Sequence, residues 1–244
     1  MSLKHVQRTY EKLGEEAPLY AVLSERGYRQ DPESFFASGR EEIAAELDHV
    51  RGLALELRLG RALDFGCGVG RLSQALCEPF ERVDGIDISD SMIRKAREFN
   101  RYGDRCNYQV NVNDDLRLFE DDQFDFVYSN ITLQHIPPEY ALRYIAEFIR
   151  ILRPGGIAVF HVPSGKTHRP GSFGAKLYTL RRVWLRRLWK RVRGRPAVDM
   201  HYIGQDVVQD VIADNGGRLV NVVQHGSVRI TRRGMRYCVI KPEP

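Results

Sequence analysis

The run Asp64-Phe65-Gly66-Cys67-Gly68-Val69-Gly70-Arg71 sets three glycines at alternate positions behind a carboxylate. Glycines at a strand-to-helix junction let the backbone approach a ligand closely and leave helix N-terminal amides available to it. A dinucleotide fingerprint needs its third glycine at position 71, where Arg71 stands. Asp64 also argues against phosphate, because a carboxylate repels one; beside an amino group it makes a charge-assisted hydrogen bond. The ligand expected here is cationic or amino-bearing. Asp87 ends the next apolar run, where a carboxylate can accept both hydroxyls of a ribose, or can cap the helix that follows. Asn113 and Asp114 follow the third run, where an amide or carboxylate can meet an adenine amino group. His135 follows the fourth, in the place of a general base, and a packing or hydrogen-bonding role suits it equally. Cys67 reads as a small hydrophobe filling a tight turn.

These positions need a scaffold, and the periodicities supply one. Ile43, Leu47, Val50, Ala54 and Leu57 recur at helical spacing. Short apolar strands are predicted at 62–65, 83–88, 108–112, 124–129, 157–162, 219–223 and 236–240. Helices are predicted through Leu72, Ala75 and Leu76; through Met92, Ile93, Ala96 and Phe99 behind an N-cap at Ser89; through Ala141 to Leu152, stopped by Pro154-Gly155-Gly156; and through Val207 to Ile212, stopped by Gly216-Gly217. Such alternation implies a doubly wound α/β sheet with its ligand site beyond the carboxyl ends of the strands. Residues 1–40 form an N-terminal helical addition to a main domain over 41–244, and residues 164–200 form an insertion after strand five.

Taken together, Ala62 to Gly70, Gly85-Ile86-Asp87-Ile88-Ser89 with Met92, Phe124 to Val127, Leu133-Gln134-His135-Ile136 and Leu152-Arg153-Pro154-Gly155-Gly156 resemble the class I S-adenosylmethionine-dependent methyltransferases. The order is that family's, over roughly residues 60–163. The resemblance implies a Rossmann-like sheet of seven strands with the last antiparallel, and S-adenosyl-L-methionine as cofactor. It also implies roles. Asp64, Gly66, Cys67, Gly68 and Gly70 would wrap the methionine part and Asp87 the ribose. Ile88 and Met92 would flank the adenine, Asn113 and Asp114 compete for its amino group, and Asn130 completes the cofactor set. His135 is the catalytic candidate. No metal is expected.

The 244 residues are 43% hydrophobic and 28% charged, ordinary values for a globular chain and unlike a disordered or fibrous one. No apolar run is long enough for a membrane span, no signal peptide is expected, and the four cysteines lack metal-site spacing, which suits a cytoplasmic protein. The net charge of +5 is uneven. Between Glu147 and Asp199 there is no acidic residue but 13 Lys and Arg; setting these aside leaves 24 basic against 32 acidic residues, a balance of −8. Within that tract Leu177, Leu180, Trp184, Leu185, Leu188, Trp189 and Val192 fall on one side of a helical wheel, with Arg182, Arg186, Lys190 and Arg193 opposite. Three uses fit this basic amphipathic helix: a lid over the site, peripheral contact with an anionic membrane through residues 175–193, or a packed helix with solvated arginines. Nucleic acid is not an expected partner. The function expected is methyl transfer to a small-molecule or lipid-like acceptor, anionic if the basic tract meets it. The alternatives are a non-catalytic methyltransferase-like protein binding cofactor or a partner chain, and a membrane-surface lipid methyltransferase. A nicotinamide-dependent oxidoreductase is disfavoured by Arg71 and Asp64.

Overall fold

The computed structural model describes residues 2–22, 31–166, 198–224 and 232–243. The basic amphipathic helix proposed from the sequence lies outside the described residues. In chain order the elements are α1 (Leu3–Glu16), α2 (Pro18–Val22), α3 (Pro32–Gly52), β1 (Arg61–Phe65), α4 (Arg71–Leu76), β2 (Arg82–Asp87), α5 (Asp90–Phe99), β3 (Cys106–Val110), β4 (Phe124–Ser129), a short 3-10 turn (Leu133–His135), α6 (Pro138–Ile151), β5 (Leu152–Lys166), α7 (Gln205–Asp214), β6 (Arg218–Gln224) and β7 (Arg232–Ile240).

The strands form one seven-stranded sheet in the order β3-β2-β1-β4-β5-β7-β6. The pairs among β1 to β5 are parallel, and β7 runs antiparallel to both β5 and β6. This is the doubly wound sheet with an antiparallel last strand that the sequence predicts. Alternation along the strands sorts side chains onto two faces. Leu63, Val127, Ala158 and Phe160 pack with Phe148 and Ile145 of α6 and Ile212 of α7. Ala62, Phe126, Tyr128 and Val159 pack with Leu47 of α3, Leu76 of α4 and Ile93 of α5.

Local chemistry sets the boundaries. Ser89 caps α5 by accepting the Met92 N–H at 3.2 Å, as expected. The helix predicted through Ala54 and Leu57 stops instead at Gly52, because Ala54 takes a positive φ of 55°. Leu53, Leu55, Leu57 and Leu59 then pack on the core at every second position of an irregular segment. Leu152 begins β5 rather than ending α6. Pro154-Gly155-Gly156 is absorbed as a bulge, where the register with β4 shifts between Phe124 and Phe126. The N–H of Gly155 there donates to the Lys241 carbonyl at 2.8 Å. α3 runs unbroken across residue 40.

α1 is tied to the start of α5 by one carboxylate. Glu11 accepts the Ser89 hydroxyl at 2.9 Å and the Ser91 N–H at 3.0 Å, while its own carbonyl accepts the Ser91 hydroxyl at 2.9 Å. Negative charge at a helix N-terminus is favourable, and hydrogen bonds to charged groups are worth about 1.5–3 kcal/mol. Glu11→Ala is therefore expected to speed amide hydrogen exchange across α1 by tenfold or more, while amides of β1 and β4 keep their protection.

Candidate active site

A cavity of about 820 Å³, mouth included, opens at the carboxyl ends of β1, β2 and β4. It sits where the strand order reverses, between β1 and β4. Phe65, Gly66 and Gly68 line it from β1 and its loop; Ile86, Asp87, Ile88 and Met92 from β2 and α5; Asn111 from the residue after β3. Asn130, Ile131, Thr132, His135 and Ile136 line it from the segment after β4, and Tyr144 from α6. The N-terminal helices complete it with Leu3, Val6 and Tyr10 of α1 and Ala21 and Val22 of α2.

Two loop glycines are required by space as well as conformation. At Gly66 (φ 76°) a Cβ would stand 2.2 Å from the Thr132 side chain, and at Gly70 (φ 83°) 2.3 Å from the Tyr108 hydroxyl. This wound loop aims the Gly68 N–H at Asp87, which accepts it at 3.0 Å and accepts the Ser89 N–H at 2.9 Å through its other oxygen. Burial, offset by these donors and reinforced by the Glu11 charge, pushes the Asp87 carboxyl up to about 6. Asp64 is also buried and accepts the Ser73 hydroxyl at 2.6 Å; burial pushes it up to about 7, against the Ser73 bond and the charge of Arg71.

His135 ends the 3-10 turn after β4. Its Nδ1 lies 2.8 Å from the Asp199 carbonyl, which accepts from it, so Nε2 carries the lone pair and faces the Gln134 side-chain amide at 3.0 Å. Burial lowers the pKa of the ring, which is neutral at physiological pH. The Tyr10 ring lies 5.9 Å from it, centroid to centroid. Burial, then the charge of Asp87, holds the Tyr10 hydroxyl well above the ordinary tyrosine range. Chemically the cavity offers apolar walls, one carboxylate and a neutral imidazole beside a phenol.

Residues 62–156 match the model of a methyltransferase domain. The chain is 30% identical over 156 residues to the ubiquinone biosynthesis O-methyltransferase of Bordetella avium, covering 63% of this chain and 61% of that protein. It is 35% identical over 127 residues to phosphoethanolamine N-methyltransferase 3 of Arabidopsis thaliana, covering 51% of this chain and 24% of that one. The chain thus spans less than two thirds of either relative. In fold it is similar to the magnesium protoporphyrin IX methyltransferase of Synechocystis, crystallised with bound SAH, with a TM-score of 0.62 at 18% identity over 98% of this chain and 100% of that one.

Of the residues singled out from the sequence, the fold gathers Gly66, Gly68, Asp87, Ile88, Met92, Asn130 and His135 around one cavity. Asp64, Cys67, Gly70, Asn113 and Asp114 do not line it. Cys67 is buried, and burial with the charges of Asp64 and Asp87 keeps its thiol protonated, consistent with a packing role. Asp114 pairs with Arg143, and the Asn113 carbonyl accepts the Tyr144 hydroxyl. Asn111, and neither of those two, lines the cavity: β3 ends opposite Asp87 at Val110, two residues earlier than the apolar pattern through Val112 suggests. Its side chain accepts the Asn113 N–H at 3.2 Å and donates to the Asp115 carbonyl at 2.9 Å. Of the lining from α1, the sequence offers Tyr10, which with Tyr20 suits either closure over the cofactor or core packing; Leu3 and Val6 escaped the motifs, though Leu3, Val6, Tyr10 and Leu13 recur at helical spacing.

Raised carboxyl groups make stability depend on pH with a defined sign. The unfolded value of Asp is near 3.9, so between about pH 4 and 7 the native state holds protons at Asp64 and Asp87 that the unfolded chain has released. Ligand-free protein should lose stability as pH rises through that window and level off above it. Asp64→Asn should flatten the decline and raise Tm above that of the unmodified chain at pH 8, as read by calorimetry across pH 5–8.

Proposed function

We propose that the chain transfers the methyl group of S-adenosylmethionine to a small-molecule acceptor. The observation that carries this reading is the glycine-loop cavity with Asp87 buried at its edge and hydrogen-bonded to the loop itself. The residues present fit the cofactor: Gly66 and Gly68 bring bare backbone to the cavity, and Ile86, Ile88 and Met92 make an apolar wall suited to a flat base. Asp87 would accept the ribose hydroxyls, Asn111 would stand at the adenine edge and Asn130 near the methionine part. Asp64, Cys67 and Gly70 would hold the loop from behind. Two buried carboxylates with raised pKa values also favour a cationic ligand over an anionic one.

When bound, S-adenosylmethionine supplies a sulfonium methyl, an electrophile that needs little further activation. The protein's part is alignment, exclusion of water and removal of one proton. α1 and α2 close the cavity on one side, and the turn after β4 closes it on the other. A hydroxyl or amine acceptor loses its proton on methylation; the neutral His135 ring would receive it at Nε2 once the acceptor displaces the Gln134 amide that faces that nitrogen, with the Asp199 carbonyl steadying the imidazolium through Nδ1–H. The relatives methylate either oxygen or nitrogen by name, and both atoms fit this scheme.

S-adenosylhomocysteine should raise Tm, since a ligand of the native state stabilises it by mass action. Asp87→Ala should weaken that binding by about 1–3 kcal/mol. His135→Ala should leave it within threefold and lower turnover by about 10²-fold. A melting shift with NADH and none with S-adenosylhomocysteine would overturn the assignment.

The finer reading is a lipid-like acceptor met at an anionic membrane through residues 175–193. Support comes from the acid-free tract with 13 Lys and Arg in an otherwise acidic chain. Among the described residues no helix is long and apolar enough to cross a membrane. Replacing Arg182, Arg186 and Lys190 by Gln should abolish most cosedimentation with phosphatidylglycerol vesicles at 0.1 M salt and leave S-adenosylhomocysteine binding unchanged.

A further inference from the structure

Glu42, on α3, does not line the cavity, yet it grips both loops that do. Its Oε2 accepts from Arg71 Nη2 at 2.6 Å, and Arg71 is the buried residue that directly follows the glycine loop. Its Oε1 accepts the Asn130 side-chain amide at 2.5 Å and the Tyr128 hydroxyl at 3.2 Å. Close packing backs this up, since a Cβ on Gly39 of the same helix would stand 2.6 Å from the Arg71 carbonyl.

The next residue in the chain gives the grip its meaning. Ile131 has φ 62°, a left-handed conformation that a β-branched side chain adopts only under constraint. Thr132 Oγ1 lies 3.1 Å from the Asn130 carbonyl and 3.4 Å from the Gly66 carbonyl, so the turn is held against the glycine loop from its far end as well. Relaxation of Ile131 to an extended conformation would swing Asn130 and Thr132, both cavity-lining, out of place.

We propose that Glu42 is a positioning residue for the cofactor: by holding the Asn130 side chain it keeps the strained turn at Ile131 in the conformation that completes the cavity. This rests on the reading of the cavity as a site for S-adenosylmethionine and its product. A carboxylate outside the cavity then sets cofactor affinity through a strained backbone.

The test titrates the full chain with S-adenosylhomocysteine by calorimetry and melts each variant without ligand. Glu42→Ala is expected to weaken binding tenfold or more. Glu42→Gln keeps an acceptor for the Asn130 amide and should bind within threefold of the unmodified chain. Both remove the charge facing Arg71, so both should melt lower by similar amounts; affinity and stability then part company. Ile131→Asn, a residue that tolerates positive φ, should melt higher, and because Ile131 lines the cavity its own affinity is the reference for the double variant. In the Glu42→Ala background it should restore most of the lost affinity, because the turn no longer needs holding. Glu42→Met, which keeps the length of the side chain without an acceptor, serves if Glu42→Ala does not fold. Affinity that falls equally in the Gln and Ala variants, stays within twofold in Ala, or is not recovered by Ile131→Asn overturns the inference. Failure of the unmodified chain to bind S-adenosylhomocysteine would instead sink the cofactor reading, and the inference with it.

Discussion

Desolvation of two carboxylates, Asp64 at the end of β1 and Asp87 at the end of β2, is the constraint around which this end of the sheet is organised. Neither can be buried as an anion without donors, and each receives its own kind. Asp64 takes a hydroxyl from Ser73, one turn into α4, and the field of Arg71. Asp87 takes two backbone N–H groups, one from the glycine loop and one from the start of α5. The second solution explains the loop. Bringing the Gly68 N–H to Asp87 demands positive φ at Gly66, Gly68 and Gly70 in succession, which only glycine adopts at low cost. The glycine loop and the start of α5 thus meet at one buried carboxylate.

The N-terminal helices obey the same logic with the sign turned round. α1 and α3 each bring a carboxylate to donors that the sheet's end leaves over: Glu11 to the first turn of α5, Glu42 to Arg71 and Asn130. Apolar contact fixes their seating. Leu19, Phe35, Phe36, Val69 and Met92 form a buried cluster joining α2 and α3 to the loop and α5. α1 and α2 are therefore part of the cavity's wall, while α3 stands behind its loops and runs through residue 40 into the packing of the main sheet.

What the sequence made legible follows from how local the causes are. Strands with buried faces and helices with apolar stripes declare themselves by period, and the glycine loop and the Ser89 cap by residue type. Asn111 was missed because the apolar pattern runs on through Val112, although Val112 is half exposed; the register against β2, a long-range fact, ends the strand. The segment from Leu53 to Leu59 misled for the opposite reason, since Leu57, one of its period-two leucines, also satisfies, with Ala54, a helical spacing begun at Ile43. Asp64 was legible as a residue of consequence but not as one withdrawn from the cavity, because its partner Ser73 lies nine residues on and is brought back only by the turn of α4. Glu42 gave no signal at all: a glutamate among the charged residues of a helix looks like solvated surface until its partners arrive from positions 71 and 130.

The turn after β4 is fastened to the chain that precedes α7, and this bears on the electrostatics at His135. β5 ends at Lys166, and the described chain returns with Asp199, whose carbonyl accepts from His135, and His201, whose N–H donates to the Gln134 carbonyl at 2.7 Å. The turn that carries the imidazole is thereby fastened to the segment immediately following the tract. Burial lowers the pKa of His135, against the bond from Nδ1 to the Asp199 carbonyl. A ring kept neutral in this way is a ready acceptor of a proton. Asp87, on the other side of the same cavity, favours a cation, which a protonated His135 would repel, so the neutral ring lets the carboxylate and the imidazole serve one site.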